Sequence, residues 1–218
     1  MPNPRQDYPI GDLDLGQMVQ VTKMPALGVQ GVADLIWLFG AEGRLFISSD
    51  ADQNDTVTGQ TSFADTTPTF LLDVPLDTTA IPMFLNLSQT GTVAGGAVDV
   101  LVELDIKKRY STGGTSEKVV GFVPGIQNKC ALYSTATAFA GYGVSLWRAT
   151  IGQDVSPAEG AVQGPFWKPE APYFLNGPAA LNIYTYAGTT GPTWFWSFGW
   201  LEIETRRLRN IFLRMDAR

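Results

Sequence analysis

The sequence predicts an all-β protein, an antiparallel β-sandwich of about eight to ten strands in a single domain. Three observations lead there. Glycine (23) and proline (14) are spread through all 218 residues, which reads as many short elements joined by many turns. The hydrophobic share is 44% and the charged share only 17%, so a packed core is expected rather than disorder. Helical periodicity is visible only near the C-terminus. A chain of this size buries roughly 70–75% of its unfolded surface, so one large domain suffices.

Taken in order, residues 1–12 read as an extended arm, because Pro2, Pro4 and Pro9 oppose regular helix and internal strand positions. Residues 13–24 alternate loosely and are expected to form a first strand. The apolar run 35–39 and residues 44–48 flank Gly40 and Gly43 as a hairpin. Residues 49–69 are a polar loop, and 70–75 and 83–87 are short strands, with proline marking an end. The clearest strand is 98–106. There Val98, Val100, Val102, Leu104 and Ile106 face inward, and Asp99, Glu103, Asp105 and Lys107 face solvent. Strands follow at 118–124, 131–137, 143–151, 181–186 and 193–204, so the sandwich body spans 13–205. In the basic tail, 206–218, Leu208, Ile211, Phe212 and Met215 recur at helical spacing, which predicts a short amphipathic helix.

Composition excludes whole classes of chemistry. There is no histidine, which removes Ser-His-Asp and Cys-His catalysis and nearly every ordinary zinc site. Cys130 is the single cysteine, so no intrachain disulfide can form. The N-terminal residues lack an apolar core and do not read as a secretory signal. Without that signal, the Asn54 and Asn86 sequons carry little weight. Residues 171–201 lack charge, but Pro172, Pro178 and Pro192 argue against a membrane helix, and no membrane association is expected. Residues 1–205 carry 10 Lys and Arg against 20 Asp and Glu. The tail carries Arg206, Arg207, Arg209, Arg214 and Arg218 against Asp216 alone. An acidic body with a basic tail suggests either a solvated terminal helix, or contact of the tail with nucleic acid or an acidic neighbour.

Four local constellations are candidate sites. Asp50, Asp52, Asn54 and Asp55 place oxygen ligands like the opening of a calcium loop, but Asp55 and Thr61 stand where glycine and glutamate are required. Calcium is thus a weak candidate, and no other cofactor is expected. Glu103 with Asp105, and Glu202 with Glu204, are carboxylate pairs on one strand face, read here as solvent-facing rather than as a glycosidase pair. The glycine-rich stretches do not have phosphate-loop spacing. Trp194, Trp196, Phe198 and Trp200 share one face of the last strand, with Phe195, Leu201 and Ile203 on the other. Both faces being apolar points to core or subunit interface; exposed, the same row would be a sugar-stacking platform.

Glu170, Pro172, Tyr173 and Phe174, followed by Trp196, Ser197, Phe198, Gly199 and Trp200, carry a resemblance to a known family. This C-terminal third resembles capsid subunits of picornavirus-like positive-strand RNA viruses. In those proteins an acidic residue, a small residue, proline and two aromatics often precede the penultimate strands. An aromatic-Ser-Phe-Gly-aromatic run then forms the last strand. The resemblance, to that family or to another small icosahedral virus, implies a single jelly roll and a structural coat subunit of the virion. Such a subunit is assembled in the host cell with other capsid subunits, and it is not an enzyme. On this reading Tyr173 and Phe174 join the four strand aromatics at the interface or in the core. The competing expectation is a carbohydrate- or receptor-binding β-sandwich that uses the tryptophans.

Overall fold

A computed structural model describes residues 40, 42–50, 55–90, 97–151 and 163–208. The expected arm, the strand at 13–24, the first half of the 35–48 hairpin, and the tail beyond residue 208 lie outside the described residues. In the first half the strands are β1 (Leu45–Ser49), β2 (Val57–Thr58), β3 (Phe70–Val74), β4 (Thr78–Thr90) and β5 (Val98–Asp105). Short strands follow: β6 (Tyr110–Thr112), β7 (Thr115–Ser116), β8 (Val119–Gly121), β9 (Ala131–Ser134) and β10 (Thr137–Ala138). The last are β11 (Val144–Ile151), β12 (Gln163–Trp167), β13 (Leu175–Asn176), β14 (Ala179–Ala187) and β15 (Thr193–Glu204). The all-β expectation is met.

These strands form two antiparallel sheets and a small additional pair. The first sheet runs β12-β4-β15-β1-β8, with β13 on β4 and β2 on β15; the second runs β11-β5-β14-β3-β9-β7. Strands β6 and β10 pair separately. One pattern organises the whole. β1 pairs with β15, β3 with β14, β4 with β12, and β5 with β11, all antiparallel. The chain is therefore paired as a nested set, its outermost long strands together and its innermost together. Because consecutive nested pairs alternate between the two sheets, the strands wrap around one core.

That core follows from strand alternation. Val98, Val100 and Val102 of β5 face inward beside Leu181 and Ile183 of β14. They meet Leu85, Leu87, Trp194, Trp196 and Phe198 from the other sheet within one buried cluster. Phe70 of β3 and Trp196 of β15 join the sheets directly, with ring centroids 4.7 Å apart. Such aromatic pairs contribute about 0.5–1.5 kcal/mol beyond area burial.

Several details correct the sequence reading. Strand 83–87 is longer, Thr78–Thr90, and runs through Pro82. The proline is tolerated because it lies opposite Trp200, where the β4–β15 register shifts between Gly199 and Trp200. The ring of Phe84 lies where a side chain on Gly199 would sit, which gives that glycine a packing reason. Ile106 lies past the end of β5 and is 78% exposed, not inward. The expected 131–137 strand divides into β9 and β10, interrupted by Thr135 at φ 51°. At the C-terminus, residues 205–208 are helical.

Candidate subunit interface

The last strand is the structural centre. Trp194, Trp196, Phe198 and Trp200 are all buried within this chain's own core. Phe198 and Trp200 stack at 5.4 Å, and Phe46 of β1 stacks on Trp200 at 6.4 Å. None of the four presents a ring face to solvent, so a glycan platform built on them is not available. Tyr173 is half-buried against the same core, whereas Phe174 is 40% exposed. Of these six residues, only Phe174 presents a large surface outward.

The carboxylate pairs are not the solvent-facing sets expected. Glu202 is 7% exposed and accepts the backbone N–H groups of Lys129 (2.7 Å) and Cys130 (3.1 Å) and the Trp200 indole N–H (2.8 Å). It thereby ties β15 of one sheet to the residues entering β9 of the other. Glu204 at the strand end is exposed, and Lys129 Nζ lies 3.3 Å away. Glu103 is also buried, at 6% exposure, and Asp105 is half-buried against Arg109 at 3.1 Å. The physical reason is position. Glu202 lies on the inward-facing side of β15 and is held by three uncharged N–H donors, whereas Glu103 faces away from the main core and is covered by other parts of the chain. With three N–H donors on its carboxylate and 7% exposure, Glu202 is held as part of the inter-sheet structure, and it lines a small pocket of about 180 Å³ together with Glu204. The apolar neighbours Trp200, Leu201 and Ile203 were the sequence signal that Glu202 is inside.

Metal and thiol candidates are equally limited. Asp50 is half-buried and its N–H donates to the Trp196 carbonyl at 3.3 Å; Asp55 is exposed; Asp52 and Asn54 lie outside the described residues. Among the described residues no group of three or more His, Cys, Asp or Glu is placed to hold a metal ion. Cys130 is buried, and desolvation, followed by the nearby Glu202 carboxylate, pushes its thiol well above the ordinary value, leaving it unreactive.

Of the tail arginines, Arg206 is exposed and Arg207 is half-buried, 3.9 Å from Glu42. Arg209, Arg214 and Arg218 lie outside the described residues. Leu208 packs on a second apolar cluster, Ile81, Leu201 and Ile203, backed by Leu45 and Met83 on the outer face of the first sheet. The start of the tail is therefore held against its own domain.

Among the large exposed apolar side chains, two groups stand out. On the edge strand β8 and its following turn, Val120 (56%), Phe122 (54%) and Ile126 are exposed. Beside them a groove of about 510 Å³ is lined by Ile47, Ser49, Asp50, Lys118, Val120 and Phe122. Among the described residues β8 pairs only with β1, which leaves its other edge open. At one end of the second sheet, Ile106, Phe139, Tyr142 and Val144 are exposed. Clusters of this kind mark surfaces that meet other molecules. No helix among the described residues is long and apolar enough to cross a membrane.

Comparison with models of protein families, with curated proteins and with solved structures found no match.

Proposed function

We propose that this chain is a virion coat subunit that folds as a jelly roll and self-assembles into a closed icosahedral shell. The observation that carries the reading is the nested pairing of β1 with β15, β3 with β14, β4 with β12 and β5 with β11. Eight strands paired from outermost to innermost and divided alternately between two sheets match the double Greek key of a jelly roll, a fold common among viral coats. The motif at Trp196–Trp200 then has a structural meaning, since its aromatics fill the core and Gly199 admits Phe84. Because the same fold also serves lectins, the burial of all four strand aromatics favours the coat over a glycan-stacking module.

The mechanism is interface burial, with no bond made or broken. Stable contacts between subunits bury about 1,600 Å² each, and the β8 edge, unpaired among the described residues, and the Ile106, Phe139, Tyr142 and Val144 end supply apolar surface for them. The partners are other coat subunits, with the arginine tail directed to packaged nucleic acid in the shell interior. Size-exclusion chromatography with multi-angle light scattering tests this. Large closed particles are expected, and a monomer at all protein concentrations overturns it.

A further inference from the structure

A second buried polar centre lies on the outer face of the second sheet, away from the aromatic core. Glu103 of β5 and Asn182 of β14 are register partners on that face, at 6% and 0% exposure. Tyr184, two residues along β14, is also fully buried. Covering them is a strap made of residues 109–112 and 137–143, together with the loop around Asp65. Arg109, only 2% exposed, donates from Nη1 to Asp105 at 3.1 Å and from Nη2 to the Asp65 carbonyl at 3.0 Å. The Tyr184 hydroxyl donates to the same Asp65 carbonyl at 3.0 Å. Strap amides complete the attachment, with Gly141 N–H donating to Asp65 Oδ2 at 2.8 Å and Ala138 N–H to the Thr66 carbonyl at 2.7 Å, while Phe139 N–H to the Arg109 carbonyl, at 2.7 Å, joins the strap's own two segments.

The centre is incompletely paired. Glu103 Oε2, Arg109 Nε and both amide atoms of Asn182 are buried without a hydrogen-bond partner among the described residues. The charged and titratable groups facing Glu103 are Asp65 on the loop, Asp105 on its own strand, and Arg109 on the strap, with Tyr184 beside it on β14. Three carboxylates thus lie near one guanidinium, which donates to the carboxylate of Asp105 and to the backbone carbonyl of Asp65. A full negative charge on Glu103 adds repulsion from Asp65 and Asp105 in a water-poor site. A proton on Glu103 removes that charge and gives Oε2 a donor beside the unpaired Asn182 amide.

We propose that Glu103 is a proton-dependent latch: protonated, it keeps the 109–112 and 137–143 strap seated on the second sheet, and ionised, it lets the strap lift. Burial acts in the same direction, raising the Glu103 carboxyl above its ordinary value, while the Gly143 N–H and Arg109 oppose the shift and Asp105 and Asp65 add to it. The strap carries the exposed Phe139 and Tyr142, so its lifting rearranges one of the two apolar surfaces. This inference concerns the single chain and holds whether or not the coat reading does.

The test is amide hydrogen exchange of the full chain from pH about 4 to about 9, with rates corrected for intrinsic exchange. In the wild type, protection at Ala138 and Gly141 should fall about tenfold or more as pH rises through the Glu103 titration. In Glu103→Gln, which stays uncharged, protection should remain high throughout. A wild-type strap with constant protection, or a variant that follows the wild-type pH profile, overturns the latch. If Glu103→Gln does not fold, carbon-13 titration of the Glu103 carboxyl in the wild type decides. A midpoint shared with strap opening supports the proposal, and separate midpoints overturn it.

Discussion

The carboxylate of Glu202 in β15 accepts the backbone N–H of Cys130, 72 residues away in sequence and just before β9 of the opposite sheet, at 3.1 Å. Lys129 N–H and the Trp200 indole complete its coordination. Glu202→Ala should therefore strand three donors in a buried site. With about 1–3 kcal/mol for each unsatisfied group and partial relaxation, a loss of about 3 kcal/mol is expected in urea unfolding. A loss below about 1 kcal/mol would show that the inter-sheet bridge contributes little.

Trp196→Ala removes the ring that meets Phe70 across the sandwich, and Phe198→Ala empties a neighbouring site. Each should cost about 3–5 kcal/mol. Calorimetry checks this, and unchanged melting would place these side chains outside the core.

The half-buried Asp73 carboxyl is raised above its ordinary value, first by desolvation, with Lys108 acting the other way. A group with a raised folded value binds its proton more tightly when folded. Its stabilising effect is complete below the unfolded value of 3.8 and is lost as pH rises through the folded value. Asp73→Asn should therefore gain stability relative to the wild type between pH about 4 and about 8. Paired urea titrations at the two pH values read this difference, and an opposite sign refutes it.

Replacing Arg206, Arg207, Arg209 and Arg214 with glutamine separates two roles of the tail. Loss of nucleic acid from otherwise normal particles is expected, because phosphate contacts depend on charge and weaken with salt. Particles of normal yield that still package fully would remove the nucleic-acid role. Failed assembly would instead assign the arginines to subunit docking, a role beyond the contacts of Arg207 with Glu42 and of Leu208 with Ile81 and Leu201 inside the chain's own domain.

The parts of this fold legible in the sequence are those with long unbroken patterns. The bounds of β15 at Thr193 and Glu204 were readable because aromatic and aliphatic residues fill both faces, and β5 was readable from its alternating valines. Pro82 hid the true length of β4, since a register shift that accommodates proline leaves no local signal. Ile106 extended an alternation that the strand itself does not follow beyond Asp105. Glu103 and Glu202 read as solvent-facing because a carboxylate on a strand usually is. Their burial depends on Gly143 and Arg109 in one case and Lys129 and Cys130 in the other, partners fixed only by tertiary structure. The nested pairing likewise rests on contacts between chain ends that no local pattern encodes.

The central claim is that this nested β-sandwich is a self-assembling coat subunit. Electron microscopy of the purified full-length protein tests it most directly. Closed shells of uniform diameter, with the sandwich as their repeating unit, are the predicted result. Isolated single-domain particles across a range of protein concentration and salt would contradict it.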